Sequence, residues 1–443
     1  MFKIPVYITE ILKRIEASGY EAFLVGGCVR DYIMGKKPDD YDIASSAHPD
    51  EIKAIFSDFK TIDTGIKHGT VSIFFEGNVT EITTFRIDGE YKDSRRPESI
   101  AFTNSIEEDL KRRDFAVNAM AMDLRGNITD PFGGQEDIKR KVIRAVGNAQ
   151  KRFEEDALRI LRGVRFASVL DFEIEKETAV QIHLLRERLK NISSERIKTE
   201  FVKLLCGKNV VNALREYSDV ISVFIPEVAL CIGFQQHSRY HKYDVYEHII
   251  HAVEEVPNDD YITRTAMFFH DIAKPECFTM DERGGHFKGH AAKSSEYARA
   301  IMKRLRFSRK EINTVSNLVF YHRSRFISRK EIKEVLADLG EKNFMRLMDI
   351  QRADSLSKND FCIKETDHID SIRNQAKEIL KYNECISIDQ MDINGSQLAD
   401  IGFNGKEIGK VLRQLLELII EEKLENNREN LINCAKSIYK YHN

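Results

Sequence analysis

The sequence predicts an α+β fold at the N-terminus, a β-sheet with helices, followed by an all-α remainder. Three observations predict it. Short alternating or β-branched runs bounded by glycine turns are confined to the N-terminal part, at 22–25, 71–75 and 79–86. From residue 152 onward Leu, Ile and Val recur three and four apart, the helical period. With 443 residues, 42% of them hydrophobic, the chain is too long for one domain, and three or more are expected.

Taken in order, residues 6–17 place Ile8, Ile11, Leu12 and Ile15 on one helical face, and Gly19 stops that helix. The strand 22–25 runs into Gly26-Gly27, and 28–34 reads as a short helix closed by Gly35. Adjacent glycines let the backbone approach a ligand, and free N–H groups at a helix start favour an anion, so a phosphate fits there with Arg30 beside it. After Pro38 comes Asp39-Asp40-Tyr41-Asp42-Ile43, and in extended backbone Asp40 and Asp42 point to one face. Paired carboxylates repel unless a cation joins them. Hard oxygen ligands beside a phosphate site point to Mg²⁺ and in-line displacement at phosphorus. The alternative is a plain turn followed by a solvated acidic loop.

A second short helix at 48–56 and a turn at 64–70 lead into the strand 71–75, and Gly77-Asn78 joins it to 79–86 as a hairpin. Glu81 lies mid-strand, either a third carboxylate beside Asp40 and Asp42 or an outward residue of an alternating strand. Residues 86–97 are dense in charge and turn formers and read as a loop. The stretch 110–122 has a basic start and then apolar residues at helical spacing; Arg113, Asp114 and Asn118 either line a ribose and triphosphate or are surface charge.

Residues 152–169 read as one helix, with Asp156 and Arg159 three apart and Arg162 and Arg165 continuing along it. Cytosine and adenine both offer an amino donor beside a ring-nitrogen acceptor, whereas uracil and guanine offer a carbonyl beside a ring N–H. A fixed carboxylate next to a guanidinium pairs with the first two and mismatches the others. The plain alternative is a surface ion pair. Although the net charge is only −3, residues 139–220 hold 18 Lys+Arg against 12 Asp+Glu, so RNA is expected along this middle segment.

At this point the ordered motifs resemble the class II tRNA nucleotidyltransferases, the CCA-adding members of the tRNA nucleotidyltransferase and poly(A) polymerase family. The matching pieces are G-G-C-V-R-D with D-D-Y-D-I, E-I-T-T-F-R, R-R-D-F-A-V-N-A, D-P-F-G-G-Q-E-D-I, E-D-A-L-R-I-L-R-G-V-R-F-A and S-E-R-I-K-T-E, over 20–220 and again at the tail. The resemblance implies a catalytic head at 1–138, then an all-α neck at 139–232, an HD domain at 233–360 and a tail at 361–443. It implies catalysis by Asp40, Asp42 and Glu81 with Mg²⁺ on the two aspartates, and nucleotide binding by Gly27, Arg30, Arg113, Asp114, Asn118, Asp156, Arg159, Arg162 and Arg165. The implied partners are CTP, ATP and tRNA, whose 3′ end receives C, C and A without a template and whose elbow rests on the tail. In that family the 86–97 loop accompanies the switch from C to A, which favours full CCA addition. An A-only or CC-only enzyme and a poly(A) polymerase stay open as alternatives.

A second set, His248, His270-Asp271, His290, His322 and Asp354, follows the order of the HD phosphohydrolase domain. Imidazole and carboxylate together are divalent-metal ligands, so a second divalent metal is expected here, with His286 an alternative to His290. Hydrolysis of phosphate at damaged RNA ends and a purely structural role both remain open. A reading of another class is a metal-dependent HD phosphohydrolase whose N-terminal half senses nucleotides. Seven scattered cysteines without a C-x-x-C pair predict free thiols, and no apolar run reaches membrane-spanning length; a cytoplasmic protein is expected.

Overall fold

The computed structural model describes residues 4–62, 65–89, 99–282 and 284–442. They fall into two compact units that divide between Ala229 and Leu230.

The first unit is built on a seven-stranded mixed sheet. Its strands are β1 (Ala22–Val25), β2 (Asp42–Ser45), β3 (Lys60–Ile62), β4 (Thr70–Phe75), β5 (Asn78–Thr84) and, beyond a separate pair β6 (Arg86–Asp88) and β7 (Ile100–Phe102), β8 (Ala121–Met122) and β9 (Ile128–Thr129). The order across the sheet is β3-β4-β5-β2-β1-β8-β9. β1 is antiparallel to β2, with Val25 opposite Asp42, while β2 and β5 are parallel, with Asp42 opposite Glu81. The β4–β5 hairpin turns on Glu76 and Gly77, both at positive φ, the conformation a two-residue turn needs to match the strand twist. Helix Val6–Ala17 buries Ile8, Ile11, Leu12 and Ile15 completely, each such side chain contributing about 2 kcal/mol of apolar transfer. The core beside the site gathers Val25, Ala44, Phe85, Leu110 and Ala121.

Three expectations need correcting. The stretch 110–122 is not one helix: helix Ile106–Lys111 ends at Arg112, a single turn covers Ala116–Asn118, and Ala121–Met122 joins the sheet. Phe115, Ala116, Val117, Ala119, Met120 and Ala121 are all fully buried, so no polar face exists to register a helical period. Nor is 152–169 continuous. Helices Ala149–Glu155 and Leu158–Leu170 meet at Asp156, whose backbone is extended at φ −140°, ψ 102°. Its carboxylate Oδ1 accepts the Leu158 N–H at 3.1 Å, a side-chain cap that competes with helix continuation. Finally, the loop expected from residue 86 begins with strand β6; its 90–97 part lies outside the described residues.

The rest of the first unit is helical apart from a parallel pair, 142–143 with 173–174. The second unit is helical apart from one short pair, 279–281 with 284–286. Its Arg329–Leu356 helix kinks at Gly340, which sits at φ 71°. The last helices close around Leu398, Phe403, Leu415, Leu431 and Ala435. No described helix is long and apolar enough to cross a membrane, and all seven cysteines are free.

Candidate active site and candidate metal centre

Asp42 opens β2 at the point where β1 ends in Gly26-Gly27. A Cβ on Gly26 would lie 3.0 Å from Arg113 Nη1 and 3.9 Å from Asp42 Oδ2, and its φ is 77°. Only a glycine leaves room for that guanidinium and that carboxylate in the same corner. Glu81, directly across the parallel β2–β5 pair, presents its side chain on the same sheet face as Asp42. Asp40 lies exposed two residues before the strand. Solvent reaches the Asp42 side chain, yet the protein around its carboxyl desolvates it and pushes its pKa above the usual value; the Arg113 guanidinium opposes this, and the Asp40 and Glu81 charges add to it. Like charges around Asp42 favour a cation beside it.

Arg113 Nη2 also bonds Asp109 Oδ2 at 3.3 Å, and Asp109 is wholly buried. Next to it Asp114 accepts the Phe115 N–H at 2.9 Å and Arg162 Nε at 2.7 Å. Burial alone would raise the Asp114 carboxyl, but the Arg162 and Arg159 charges reverse this and hold it at about 2. Arg30 donates from Nη1 to Asn118 Oδ1 at 2.7 Å and from Nη2 to Asp31 Oδ1 at 2.8 Å. Gly27 stands beside it, a Cβ there lying 3.6 Å from Arg30 Nη2. Around the Phe166 ring gather three guanidiniums, those of Arg30, Arg162 and Arg165, the last at 3.6 Å from the centroid. Arg30, Arg113, Asp114, Asn118, Arg162 and Arg165 are therefore brought together, and Asp109 and Phe166 join them without having been singled out for a role.

Asp156 and Arg159, expected to act as neighbours on one helix, have separate partners. Asp156 is bound by Arg196, with Nη2 to Oδ2 at 2.7 Å and Nη1 to Oδ1 at 3.3 Å. Arg159 donates to Glu155 at 2.8 Å and to the Arg112 and Arg152 carbonyls at 2.8 and 3.2 Å. Glu200, nearly buried, accepts from Arg165 Nε at 2.9 Å. Arg196 and Glu200 were visible only inside the motif S-E-R-I-K-T-E, four apart on one helix face.

In the second unit the six histidine and aspartate candidates meet. His248, His270, Asp271 and Asp354 form one group able to hold a metal, and Asp271, His290 and His322 another. The Nε2 atoms of His248 and His270 lie 3.3 and 3.1 Å from Asp271 Oδ2, and His290 Nε2 lies 3.2 Å from Asp271 Oδ1. Three of the four rings are oriented from behind by a carbonyl: Nδ1 of His270, His290 and His322 is 2.6 Å from the carbonyls of Met267, Phe287 and Val319, which turns Nε2 inward. Asp271 Oδ1, His290 Nε2 and His322 Nε2 are buried without a hydrogen-bond partner, so this donor set fits a divalent cation. His286 faces Asp281 instead, at 2.8 Å. Two lysines not singled out beforehand complete the cluster, Lys274 at 2.6 Å from Asp271 and Lys358 at 2.6 Å from Asp354.

The poly A polymerase head domain matches residues 22–144, the probable RNA and SrmB-binding site of polymerase A matches 171–230, and a putative tRNA nucleotidyltransferase domain 2 matches 289–435. The CCA-adding enzyme of Ligilactobacillus salivarius is 53% identical over 209 residues, 47% of this chain and 51% of that protein. That of Geobacillus thermodenitrificans is 51% identical over 220 residues, 49% of this chain and 54% of its own. The chain thus spans about half the length of the curated relatives it matches. The Bacillus stearothermophilus CCA-adding enzyme in complex with CTP superposes with a TM-score of 0.78 at 27% identity over 98% of each chain. The fold is also that of the Thermotoga maritima CCA-adding enzyme complexed with tRNA, at a TM-score of 0.59 and 20% identity over 98% of this chain and 96% of that one. In chain order the chain carries a match to a poly A polymerase head domain, with the Asp42 corner inside it, then to the probable RNA and SrmB-binding site of polymerase A, then to a putative tRNA nucleotidyltransferase domain 2, and it is similar in sequence and fold to CCA-adding enzymes.

Proposed function

We propose that the chain adds C, C and A to the 3′ end of tRNA from CTP and ATP, without a nucleic-acid template, releasing pyrophosphate. The single observation that supports this most is the Asp42 carboxyl beside the Gly26 turn and the Arg113 guanidinium, with Glu81 opposite it across the parallel β2–β5 pair. In this reading Asp40 and Asp42 hold Mg²⁺, which when bound makes the 3′-hydroxyl a better nucleophile and neutralises the charge on the leaving pyrophosphate. The glycine turn, Arg30 and Arg113 receive the triphosphate, and Asp114 and Asn118 stand by the sugar. Asp156 accepts the amino group of the incoming base while Arg159 donates to its ring nitrogen; Arg162 and Arg165 complete that wall. Glu81 orients the attacking hydroxyl or the cation. The division into head (1–138), neck (139–232), HD domain (233–360) and tail (361–443), the tail holding the tRNA elbow, belongs to this reading, as does a cytoplasmic location.

The test is a tRNA lacking its last three nucleotides, incubated with each labelled nucleotide alone and with all four. CTP alone should extend it by two, ATP alone not at all, and the two together by three. Unlimited A addition, or addition stopping at CC, would replace this reading with one of the alternatives. Asp156→Ala should incorporate U and G as well; a variant keeping strict C and A choice contradicts the base assignment.

The buried histidine and aspartate cluster supports a second site, one that holds a divalent metal and acts on phosphate at RNA ends. Titration with Mn²⁺ should show a binding event in the parent protein that His270→Ala loses while CCA addition continues. Identical Mn²⁺ uptake by the two proteins contradicts it.

A further inference from the structure

We infer that Arg196 is a specificity-positioning residue: its guanidinium locks the Asp156 carboxylate in the one pose from which that carboxylate reads the incoming base. The inference rests on the proposed base-reading role of Asp156. Asp156 stands at the break between two helices with extended backbone; its N–H still donates to the Arg152 carbonyl at 3.3 Å and its carbonyl accepts from the Arg159 N–H at 3.0 Å, but these backbone bonds do not restrict its side chain. Three bonds do so instead: the Leu158 N–H to Oδ1 at 3.1 Å, Arg196 Nη1 to Oδ1 at 3.3 Å and Arg196 Nη2 to Oδ2 at 2.7 Å. An ionised carboxylate offers about four acceptor directions, so a free direction remains for an exocyclic amino group. What the fork removes is rotation. A carboxylate free to turn could leave the amino position or bring a water into it, and uracil or guanine would then meet a smaller penalty.

The helix that carries Arg196 does more than this. Residues 196 and 200 share one face of Ser194–Leu205, and Glu200 binds Arg165 Nε at 2.9 Å and lies 3.6 Å from Arg162 Nη1. One helix face therefore fixes the acceptor at one end of the recognition wall and guanidinium donors at the other. Arg159 is anchored independently, on Glu155 and two backbone carbonyls, so loss of Arg196 would leave a donor in place and the acceptor adrift. The Asp42 corner has no contact with Arg196 through these bonds, so chemistry on a correct nucleotide should suffer less than choice among nucleotides. The Arg196 side chain is 27% exposed and that of Asp156 16%, a partly solvated pair of the kind that adds little to overall stability.

The test compares kcat/KM for CTP with UTP, and for ATP with GTP, in the parent, Arg196→Lys, Arg196→Ala and Asp156→Ala proteins, with melting temperatures for all four. Lysine keeps the charge and removes the two-pronged geometry. Discrimination should fall about tenfold or more in both Arg196 variants, the size expected for losing one charge-assisted bond, chiefly because the wrong nucleotide improves. Unchanged discrimination in both variants alongside relaxed choice in Asp156→Ala would overturn the role of Arg196 and leave the base assignment standing. Strict choice in Asp156→Ala would overturn both. A uniform loss of kcat for all four nucleotides with a lowered melting temperature would also overturn it, marking Arg196 as a residue of the fold alone.

Discussion

Asp42 and Asp114 are shifted to opposite sides of the ordinary carboxylate value, and the signs lead to opposite stability effects. The Asp42 pKa is raised in the folded protein, so its protonated form is favoured there; its stabilising contribution is present below the unfolded value of 3.8 and is lost as pH rises through the folded one. Near neutral pH the bare site is therefore strained. Asp42→Asn should melt higher than the parent at pH 7 in the absence of metal, the gap should close below about pH 4, and Mg²⁺ should raise the melting temperature of the parent alone. Equal melting at pH 7 without metal would contradict the electrostatics described. Asp114 behaves in the reverse sense: its folded value of about 2 lies below the unfolded 3.8, so its contribution is present above that value and lost as pH falls through the folded one. Asp114→Asn should lose about 2 kcal/mol at neutral pH by denaturant titration, with the difference shrinking between pH 4 and 2. At this scale the sequence was informative where chemistry depends on near neighbours, as with Gly26, Asp40 and Asp42. It showed Arg196 and Glu200 only inside a motif, with no role, because their partners Asp156 and Arg165 lie on other helices that only the folded chain brings close.

Among the elements, the turn Ala116–Asn118 shows how local structure serves the site. Gly134 opens the helix Gly134–Arg140, and a Cβ there would lie 2.2 Å from the Ala116 carbonyl oxygen and 2.9 Å from Met120 Sδ. A backbone atom cannot swing aside as a side chain can. Gly134→Ala should therefore push the turn that carries Asn118 away from Arg30 and cost about 1–3 kcal/mol, read as a lowered urea midpoint. An unchanged midpoint would show that the contact relaxes freely. In the sequence Asp130–Gly134 appears only as part of the motif D-P-F-G-G-Q-E-D-I, since nothing in its spacing shows what the glycine lies against. The two misread helices share a related cause. At 115–122 a fully buried run carries no polar stripe from which to read a period, and at Asp156 a side-chain hydrogen bond interrupts an otherwise faultless helical pattern.

Across the whole molecule, legibility differs between the two units. In the first, residues packed into short ordered motifs announced the sheet, the glycine turn and the carboxylates, and the mixed topology then set Asp42 beside Glu81 through a parallel pairing that no alternation pattern encodes. In the second, six candidate ligands scattered between His248 and Asp354 stood out by residue type and order alone, and the fold brings His290, not His286, to the group that could hold a metal. Lys274 and Lys358 escaped notice because one lysine among many in a highly charged chain stands out only once it is seen paired with a buried carboxylate. The account as a whole depends on the Asp42 corner being where a cation and a triphosphate meet. Its most direct test is single-turnover addition of labelled CMP to the shortened tRNA by Asp42→Ala, with tRNA affinity measured alongside. Addition should fall to the background of the uncatalysed control while tRNA binds as it does to the parent; CMP incorporation at the parent rate would contradict the assignment.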